Sequence, residues 1–308
     1  MTNKIVAIQG NHPSKLNPKT DTSVFLAHEI QNKNYKIFYY DPKELSVINS
    51  EVIASGFFIK FDYKDKNFFK ILKKQKLALT KCKFILIRQD PPFNLEYISA
   101  TYILDTIKDK VKILNNPTSI RNISEKLYSV RYQKFMPSTI FTQNISEIKN
   151  FFKTHKKVII KPIHSYGGND IHLLNRFNSK FINQFIKKHD HIMCQKFLPK
   201  INKGDKRVFL INGKVCGAIS RVPKQGSFLS NMSKGAKPIS IELTKTEKKI
   251  SKLIAKDLKK ENIFFAGIDF IDQKLNGDIN VTSPTGLKTL NDLSGINLAK
   301  TFWKELKA

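Results

Sequence analysis

The chain of 308 residues is long enough to bury more than one hydrophobic core, and its hydrophobic content of 41% is ordinary for a globular protein. No apolar run approaches the roughly 18 residues of a membrane span, and the N-terminus lacks the apolar core and cleavage site of a signal peptide. The three cysteines are scattered and odd in number, which disfavours both a disulfide framework and a zinc site. These features predict a multidomain protein of the reducing cytoplasm.

The net charge is +29, from 54 Lys and Arg against 25 Asp and Glu. Such a balance raises nucleic-acid binding as an alternative. However, the basic residues are nearly all lysines, spread along the chain beside abundant Asn and Ile, which indicates a compositional bias of a whole genome rather than a binding arm. The same field attracts small anions such as ATP and dicarboxylate peptides. We therefore expect small-molecule partners rather than nucleic acid or a membrane.

Residues 1–122 alternate between apolar strands and helices, which predicts a mostly parallel α/β layer. The predicted strands are 4–9, 36–40, 84–88 and 111–114, and the predicted helices are 23–32 and 97–109. Functional residues of such sheets collect beyond the carboxyl ends of the strands, where loop 88–93 lies. Arg88 in this loop is suited to pairing with a substrate carboxylate, and equally to an internal ion pair with Asp90 or another neighbour.

The middle of the chain predicts a helix over 124–135, a second helix after residue 150, and strands over 157–163 and 171–174. A loop containing Gly167 and Gly168 joins these strands, and its backbone N–H groups are suited to cradling phosphates. Two glycines also close ordinary hairpins, and no Gly-Lys-Ser/Thr follows to make a Walker loop. Lys161 needs an anionic partner if it points inward from its strand, and none if it points outward.

Further strands are predicted over 193–198, 208–211 and 214–220, the last two joined by a turn at Asn212 and Gly213. Arg221 then opens a long polar loop that reaches Gly235 and is a candidate flexible lid. An amphipathic, lysine-rich helix with a solvated face is predicted over 244–260, and a last helix over 296–306.

Residues 264–271 and 278–282 alternate in character and predict a β-hairpin with its turn over 272–277. If Ile271 pairs with Asp278, then Asp269 lies opposite Asn280, and Asp278 follows one pair along on the same face. Carboxylate and amide oxygens that converge in this way suit a hard cation such as Mg²⁺. The alternative is an ordinary half-buried hairpin with a polar, solvated face.

Taken together, these features resemble the ATP-grasp ligases and, within them, the prokaryotic glutathione synthetase family. The most specific stretches are RQDPPFNLEYISATYILD (88–105), NNPTSIRNISEKL (115–127), GDKRVFL (204–210) and INVTSPTG (279–286). The resemblance covers nearly the whole chain and implies a fold that combines α/β and α+β parts. An N-terminal α/β, pre-ATP-grasp domain over 1–122 would bind substrate. An ATP-grasp domain over 123–308 would follow, with a lid subdomain over 123–200 and a metal-binding, catalytic subdomain over 201–308.

The resemblance also implies which residues contact each ligand. Residues 195–198 would form the hinge that binds adenine. The ATP-binding residues would be Lys126, Lys161, Gly167, Gly168, Gln195, Lys196, Phe197, Leu198 and Asp205. The substrate-binding residues would be Arg88, Asn231, Ser283, Pro284 and Thr285. The ligands of Mg²⁺, or of Mn²⁺ in its place, would be Asp269, Asp278 and Asn280. Arg207 and Arg221 would be catalytic, facing the transferred phosphoryl group and the developing negative charge.

The reaction implied by the resemblance joins γ-glutamylcysteine to glycine through an acyl phosphate and yields glutathione, ADP and phosphate, with a homotetramer as the assembly. This chain departs from the family pattern in the lid, where Ser227 replaces a Glu and Leu229 replaces an Arg, and at Asp278, which replaces a Glu. Two alternatives therefore stay open. One is an ATP-grasp ligase with another peptide donor or amino-acid acceptor, and the other is a non-catalytic or nucleic-acid-binding scaffold.

Overall fold

The computed structural model describes residues 4–65 and 67–308, so the first three residues of the predicted N-terminal unit lie outside the described residues. The strands form three sheets, of seven, four and five strands. Across the described ranges, no helix combines the length and apolar character needed to cross a membrane.

The first sheet is built from the N-terminal part of the chain. Its strands are β1 (Ile5–Gln9), β2 (Lys36–Tyr40), β3 (Leu45–Ile48), β4 (Glu51–Phe61), β5 (Phe69–Ala78), β6 (Phe84–Ile87) and β7 (Lys112–Leu114). The accompanying helices are α1 (Thr22–Gln31), α2 (Leu95–Asp105) and α3 (Pro117–Asn122). Strands β2, β1, β6 and β7 are parallel, as the alternation of strands and helices predicts. Strands β3 to β5 are antiparallel additions. The sequence analysis predicts none of these three strands, and β5 gives little signal because it is a mostly exposed, lysine-rich edge strand.

The second sheet is antiparallel, with the order β10-β9-β11-β8. Its strands are β8 (Thr139–Thr142), β9 (Val158–Pro162), β10 (His172–Leu174) and β11 (Ile192–Lys196). Helices α4 (Ile145–His155) and α5 (Ser179–His189) bury Ile148 and Ile182 against it. Because β9 and β10 pair with His172 opposite Ile160, the predicted hairpin around the glycine loop is confirmed.

The third sheet has the order β14-β13-β12-β15-β16. Its strands are β12 (Asp205–Ile211), β13 (Lys214–Val222), β14 (Lys237–Ser240), β15 (Phe265–Ile271) and β16 (Lys274–Asn280). Helix α6 (Lys245–Lys260) begins with a capping box formed by Thr244 and Glu247 and buries Ile254 against the sheet. Helices α7 (Leu287–Ser294) and α8 (Leu298–Glu305) share a core with the first sheet, in which Trp303 packs near Phe84.

Several predicted helices differ from the structure. The helix predicted after residue 150 begins at Ile145, and the helix predicted over 97–109 is Leu95–Asp105. The segment predicted as a helix over 124–135 is a 3₁₀ helix, Leu127–Phe135, whose Tyr128 and Tyr132 join the core of the third sheet. The C-terminal helix begins at Leu298 rather than 296, since Gly295 ends α7 with a φ of +71° that suits glycine.

The predicted register of the β15–β16 hairpin is wrong. Asp272 and Gln273 form a two-residue turn with both φ angles positive, so Ile271 pairs with Lys274 and not with Asp278. An irregularity opposite Asp269 then shifts the register, and Asn280 lies opposite Gly267. Gly277, with a φ of +85°, belongs to this irregularity and not to a turn. Asn276 and Gly277 are typical turn residues and therefore predict a turn, but in the structure they belong to a bulge.

Asn115 ties the N-terminal sheet to the β15–β16 hairpin. Its Oδ1 accepts hydrogen bonds from the backbone N–H groups of Phe264 (2.9 Å) and Phe265 (2.8 Å). Its Nδ2 donates to the carbonyl oxygens of Phe265 (2.8 Å) and Val281 (2.6 Å). The side chain is buried, so these backbone groups have no water to replace it.

We predict that Asn115→Leu lowers the free energy of unfolding by about 2–4 kcal/mol, because it leaves several buried backbone groups without partners. Urea denaturation measures this change. Asn122→Ala, at an exposed position nearby on α3, is the control and should change stability little. Equal stability of the two variants would show that the Asn115 hydrogen bonds do not hold the hairpin.

Candidate functional site

A cavity of about 760 Å³ lies where the three sheets meet. Its walls include every predicted site residue except Arg88. The cavity falls within the usual range for ligand sites, roughly 300–1,000 Å³. The fold therefore gathers residues that are far apart in the sequence into one site.

An ion pair joins the second and third sheets across this cavity. Lys161 on β9 donates from Nζ to Asp278 Oδ2 on β16 (2.9 Å) and to the carbonyl oxygen of Asn276 (3.1 Å). Lys126 Nζ lies 3.6 Å from Asp278 Oδ1 and donates to the carbonyl oxygen of Ser165 (2.7 Å). Lys161 thus points inward and has the anionic partner that this orientation requires.

Burial and charge act in opposite directions on this cluster. Burial works to raise the pKa of Asp278, but attraction by Lys161 and Lys126 outweighs it, and the pKa lies below its ordinary value. Burial lowers the pKa of Lys126, and the attraction of Asp278 offsets only part of that change. Asp278 is therefore ionised at neutral pH because two buried cations face it.

A second row of alternating charges crosses the third sheet. Arg207 donates from Nε to Asp269 Oδ1 (2.5 Å) and from Nη2 to Oδ2 (2.8 Å). Arg221 Nη2 lies 3.0 Å from Asp269 Oδ2, and Arg221 also forms a two-bond pair with Asp205, with Nε to Oδ1 at 2.7 Å. Burial opposes the charges of Asp269 and Arg221. Attraction by Arg207 and then Arg221 nevertheless keeps the pKa of Asp269 low, and attraction by Asp205 and then Asp269 keeps the pKa of Arg221 high.

The three predicted metal ligands, Asp269, Asp278 and Asn280, line the same cavity. Asn280 donates from Nδ2 to the carbonyl oxygen of Gly267 (3.1 Å), so its Oδ1 is left to accept or coordinate. This donor set is all oxygen and fits a hard divalent cation. Over the described residues, no three His, Cys, Asp or Glu side chains converge as a metal cage. The two carboxylates would therefore need further ligands from water or substrate phosphates.

The glycine loop and the lid loop face each other over the cavity. Lys234 donates from Nζ to Asn169 Oδ1 (2.8 Å). A Cβ on Gly168 would lie 2.4 Å from Asn231 Oδ1, and the φ of +77° also suits glycine. The predicted substrate residue Asn231 therefore packs directly on the predicted phosphate loop.

Arg88 lies behind the cavity wall. Its Nε donates to Ser23 Oγ (3.0 Å) and its Nη2 to the carbonyl oxygen of Pro284 (3.0 Å). The buried guanidinium thus holds the segment that carries Ser283 and Pro284, where the sequence suggested either a substrate contact or an ion pair with Asp90.

Other residues that line the cavity were not predicted as ligand contacts from the sequence. Lys15 and Asp21 follow β1, and Asp90 lies in loop 88–93 after β6, so the rule that sites collect beyond the carboxyl ends of parallel strands points to them. Glu125 also lines the cavity, and no spacing in the sequence distinguishes it.

Two family models match the chain. The prokaryotic glutathione synthetase N-terminal domain matches residues 5–121, and the prokaryotic glutathione synthetase ATP-grasp domain matches residues 125–295. Glutathione synthetase of Bradyrhizobium diazoefficiens is 33% identical over 98% of this chain and 97% of its own length. Glutathione synthetase of Buchnera aphidicola subsp. Baizongia pistaciae is 34% identical over 93% of this chain and 90% of its own length.

Solved structures agree on the fold. D-alanyl-alanine synthetase A from Vibrio cholerae superposes with a TM-score of 0.63 at 14% identity, covering 100% of this chain and 98% of that one. D-cycloserine synthetase gives a TM-score of 0.66 at 9% identity, covering 98% of this chain and 99% of that one. At such low identity, these similarities show the ATP-grasp architecture alone.

The low pKa of Asp278 makes stability depend on pH. A carboxyl with a lower pKa in the folded state stabilises the fold above its unfolded pKa, and this contribution disappears as the pH falls through the folded pKa. We predict that Asp278→Asn is less stable than wild type at pH 7 and that the difference shrinks as the pH falls from 5 to 3. Urea denaturation across this range measures the effect. A difference that stays constant with pH would contradict the ion pair.

Proposed function

The chain belongs to the prokaryotic glutathione synthetase family, and from that premise we propose how its residues perform the reaction. It is an ATP-dependent ligase that forms glutathione by joining γ-glutamylcysteine to glycine. The observation that supports the residue assignments best is the ion pair of Lys161 and Asp278 across the cavity.

Lys126 and Lys161 bind the ATP phosphates in this proposal. Both are buried lysines whose ammonium groups reach the cavity, and both face Asp278. The cavity is lined by seven Lys and Arg side chains and by six Asp and Glu side chains, so a polyanion meets a slight excess of positive charge. The glycine loop covers the phosphates, and residues 195–198 bind adenine.

The metal is Mg²⁺ in this proposal, since its ligands are all oxygen atoms. Asp269, Asp278 and Asn280 would hold it, and Asp278 would then face the cation in place of its lysine partners. Mg²⁺ supplies positive charge that neutralises phosphate oxygens during phosphoryl transfer. With the cation at Asp278, Lys126 and Lys161 would be available to the phosphates, and no charge of the site would be left unpaired.

The protein's task in catalysis is to position and to neutralise charge. The cysteinyl carboxylate of γ-glutamylcysteine takes the γ-phosphoryl group of ATP, and ADP leaves. The amine of glycine then displaces phosphate from this acyl phosphate with loss of a proton. Arg207 faces the transferred phosphoryl group, and Arg221 stabilises the charge that develops. Asn231 and Ser283 to Thr285 bind substrate, and closure of the lid excludes water from the acyl phosphate.

The unit boundaries follow from the same proposal. Residues 1–122 form the substrate-binding unit, 123–200 the lid unit and 201–308 the metal-binding unit. Ile123, Tyr128, Tyr132 and Met136 pack into the core of the third sheet, so we place the movable part of the lid unit after residue 136. We also propose that the enzyme acts in the cytoplasm as a homotetramer, and sedimentation equilibrium tests the assembly.

The substrate assignment is tested by phosphate release from ATP and Mg²⁺ with γ-glutamylcysteine as donor and a panel of amino acids as acceptors. We predict release that requires both γ-glutamylcysteine and glycine. This result would also show that Ser227 and Leu229 are compatible with the reaction. Release that is faster with another donor or acceptor would reject the assignment.

We predict that Lys161→Gln lowers kcat/KM for ATP by roughly 10²–10³-fold, because a buried cation at the phosphates is lost. Lys157→Gln, at an exposed position just before the same strand, is the control and should keep nearly full activity. Equal activity of the two variants would remove Lys161 from the ATP site.

A further inference from the structure

The segment that leaves β16 carries much of the cavity wall, yet it has no strand partner of its own. Asn280 ends β16, and Thr282 to Thr285 line the cavity before α7 begins at Leu287. Backbone N–H groups in such a segment need acceptors from elsewhere in the fold. The precision of the site therefore depends on whatever supplies them.

Glu125 supplies these acceptors. Its Oε1 accepts hydrogen bonds from the backbone N–H groups of Val281 (2.8 Å) and Thr282 (3.0 Å) and from Thr282 Oγ1 (2.9 Å). Its own backbone carbonyl accepts from the N–H of Ile279 (2.9 Å). One residue thus holds both sides of Asn280.

Lys126, the next residue, links this part of the site to the glycine loop, which covers the ATP phosphates in the proposed function. Lys126 donates from Nζ to the carbonyl oxygens of Ile163 (3.3 Å) and Ser165 (2.7 Å), which lead into the glycine loop, and it also faces Asp278. Glu125 and Lys126 therefore connect the glycine loop, the carboxylate of Asp278 and the segment 282–285. Arg88 holds the far end of that segment through the carbonyl oxygen of Pro284.

We propose that Glu125 is a positioning residue that sets the geometry of Asn280 and of segment 282–285 relative to Lys126. This inference rests on the proposed function. Glu125 itself does not exchange protons or bind the reacting atoms. Its three donors need an acceptor oxygen at Oε1 but not a negative charge, so an amide in its place keeps the hydrogen bonds.

The test compares Glu125→Ala, Glu125→Gln and the control Glu147→Ala, which lies at an exposed position in the first turn of α4. We expect Glu125→Ala to lower kcat/KM by about 10²-fold, since a displacement near 1 Å costs that much, and to raise the Mg²⁺ concentration for half-maximal activity. Glu125→Gln should recover to within roughly threefold of wild type with an unchanged pH profile. Glu147→Ala should match wild type.

Three results would overturn the proposal. If Glu125→Gln is as impaired as Glu125→Ala, the charge matters and the residue acts as a base or an ion partner. If Glu125→Ala keeps normal kcat/KM and only melts earlier, the role is structural. If Glu125→Ala keeps wild-type half-saturation by Mg²⁺, Asn280 does not depend on it.

A second readout separates this proposal from the substrate assignment. Calorimetric titration of ATP in the presence of Mg²⁺ needs no ligation. If wild type fails to join γ-glutamylcysteine to glycine but binds ATP with Mg²⁺, the substrate assignment fails while Glu125 is still tested. Weaker Mg²⁺-dependent ATP binding in Glu125→Ala, restored in Glu125→Gln, supports the positioning role, and unchanged binding in Glu125→Ala rejects it.

Discussion

The ion pair between Lys161 and Asp278 is the constraint around which the site is built. It joins two sheets whose contributing residues are separated by 117 positions in the chain. Burying either charge alone is costly, whereas the two together are tolerated. The same holds for Arg207, Arg221, Asp205 and Asp269 on the third sheet. The cavity thus keeps the cations that we propose to bind phosphate close to the carboxylates that we propose to bind metal, because the two sets neutralise each other.

This arrangement explains why many buried contacts hold strands β15 and β16, at one edge of the third sheet, in place. Asn115 holds the start of β15 and the end of β16, and Glu125 and Arg88 hold the segment that follows. Helices α7 and α8 then fasten that sheet to the first sheet through a shared apolar core. The exchange of ionic partners that we propose for Asp278 would need neighbouring donors and acceptors that stay in place, and these contacts restrain the backbone around it.

The sequence predicts which residues line the site better than it predicts the pairing register of the β15–β16 hairpin. Period-two alternation correctly places Asp269, Asp278 and Asn280 on the cavity side, because Ile268 and Ile279 must be buried on the other. The register prediction was wrong because Asn276 and Gly277 are a stronger turn signal than the actual turn at Asp272 and Gln273, in which Gln273 is a residue type that rarely adopts a positive φ. Long-range partners cannot be read from local patterns at all. The inward orientation of Lys161 and the role of Glu125 depend on residues more than a hundred positions away.

The most direct test of this account is the affinity for ATP without metal, measured by calorimetry in EDTA for wild type and for Asp278→Asn. If Lys126 and Lys161 are held by Asp278 until a cation takes that carboxylate, the variant releases both lysines. We predict that Asp278→Asn binds metal-free ATP about tenfold more tightly than wild type, a difference of about 1.4 kcal/mol, and gains less from added Mg²⁺. Equal or weaker binding of metal-free ATP by the variant would contradict the exchange of partners.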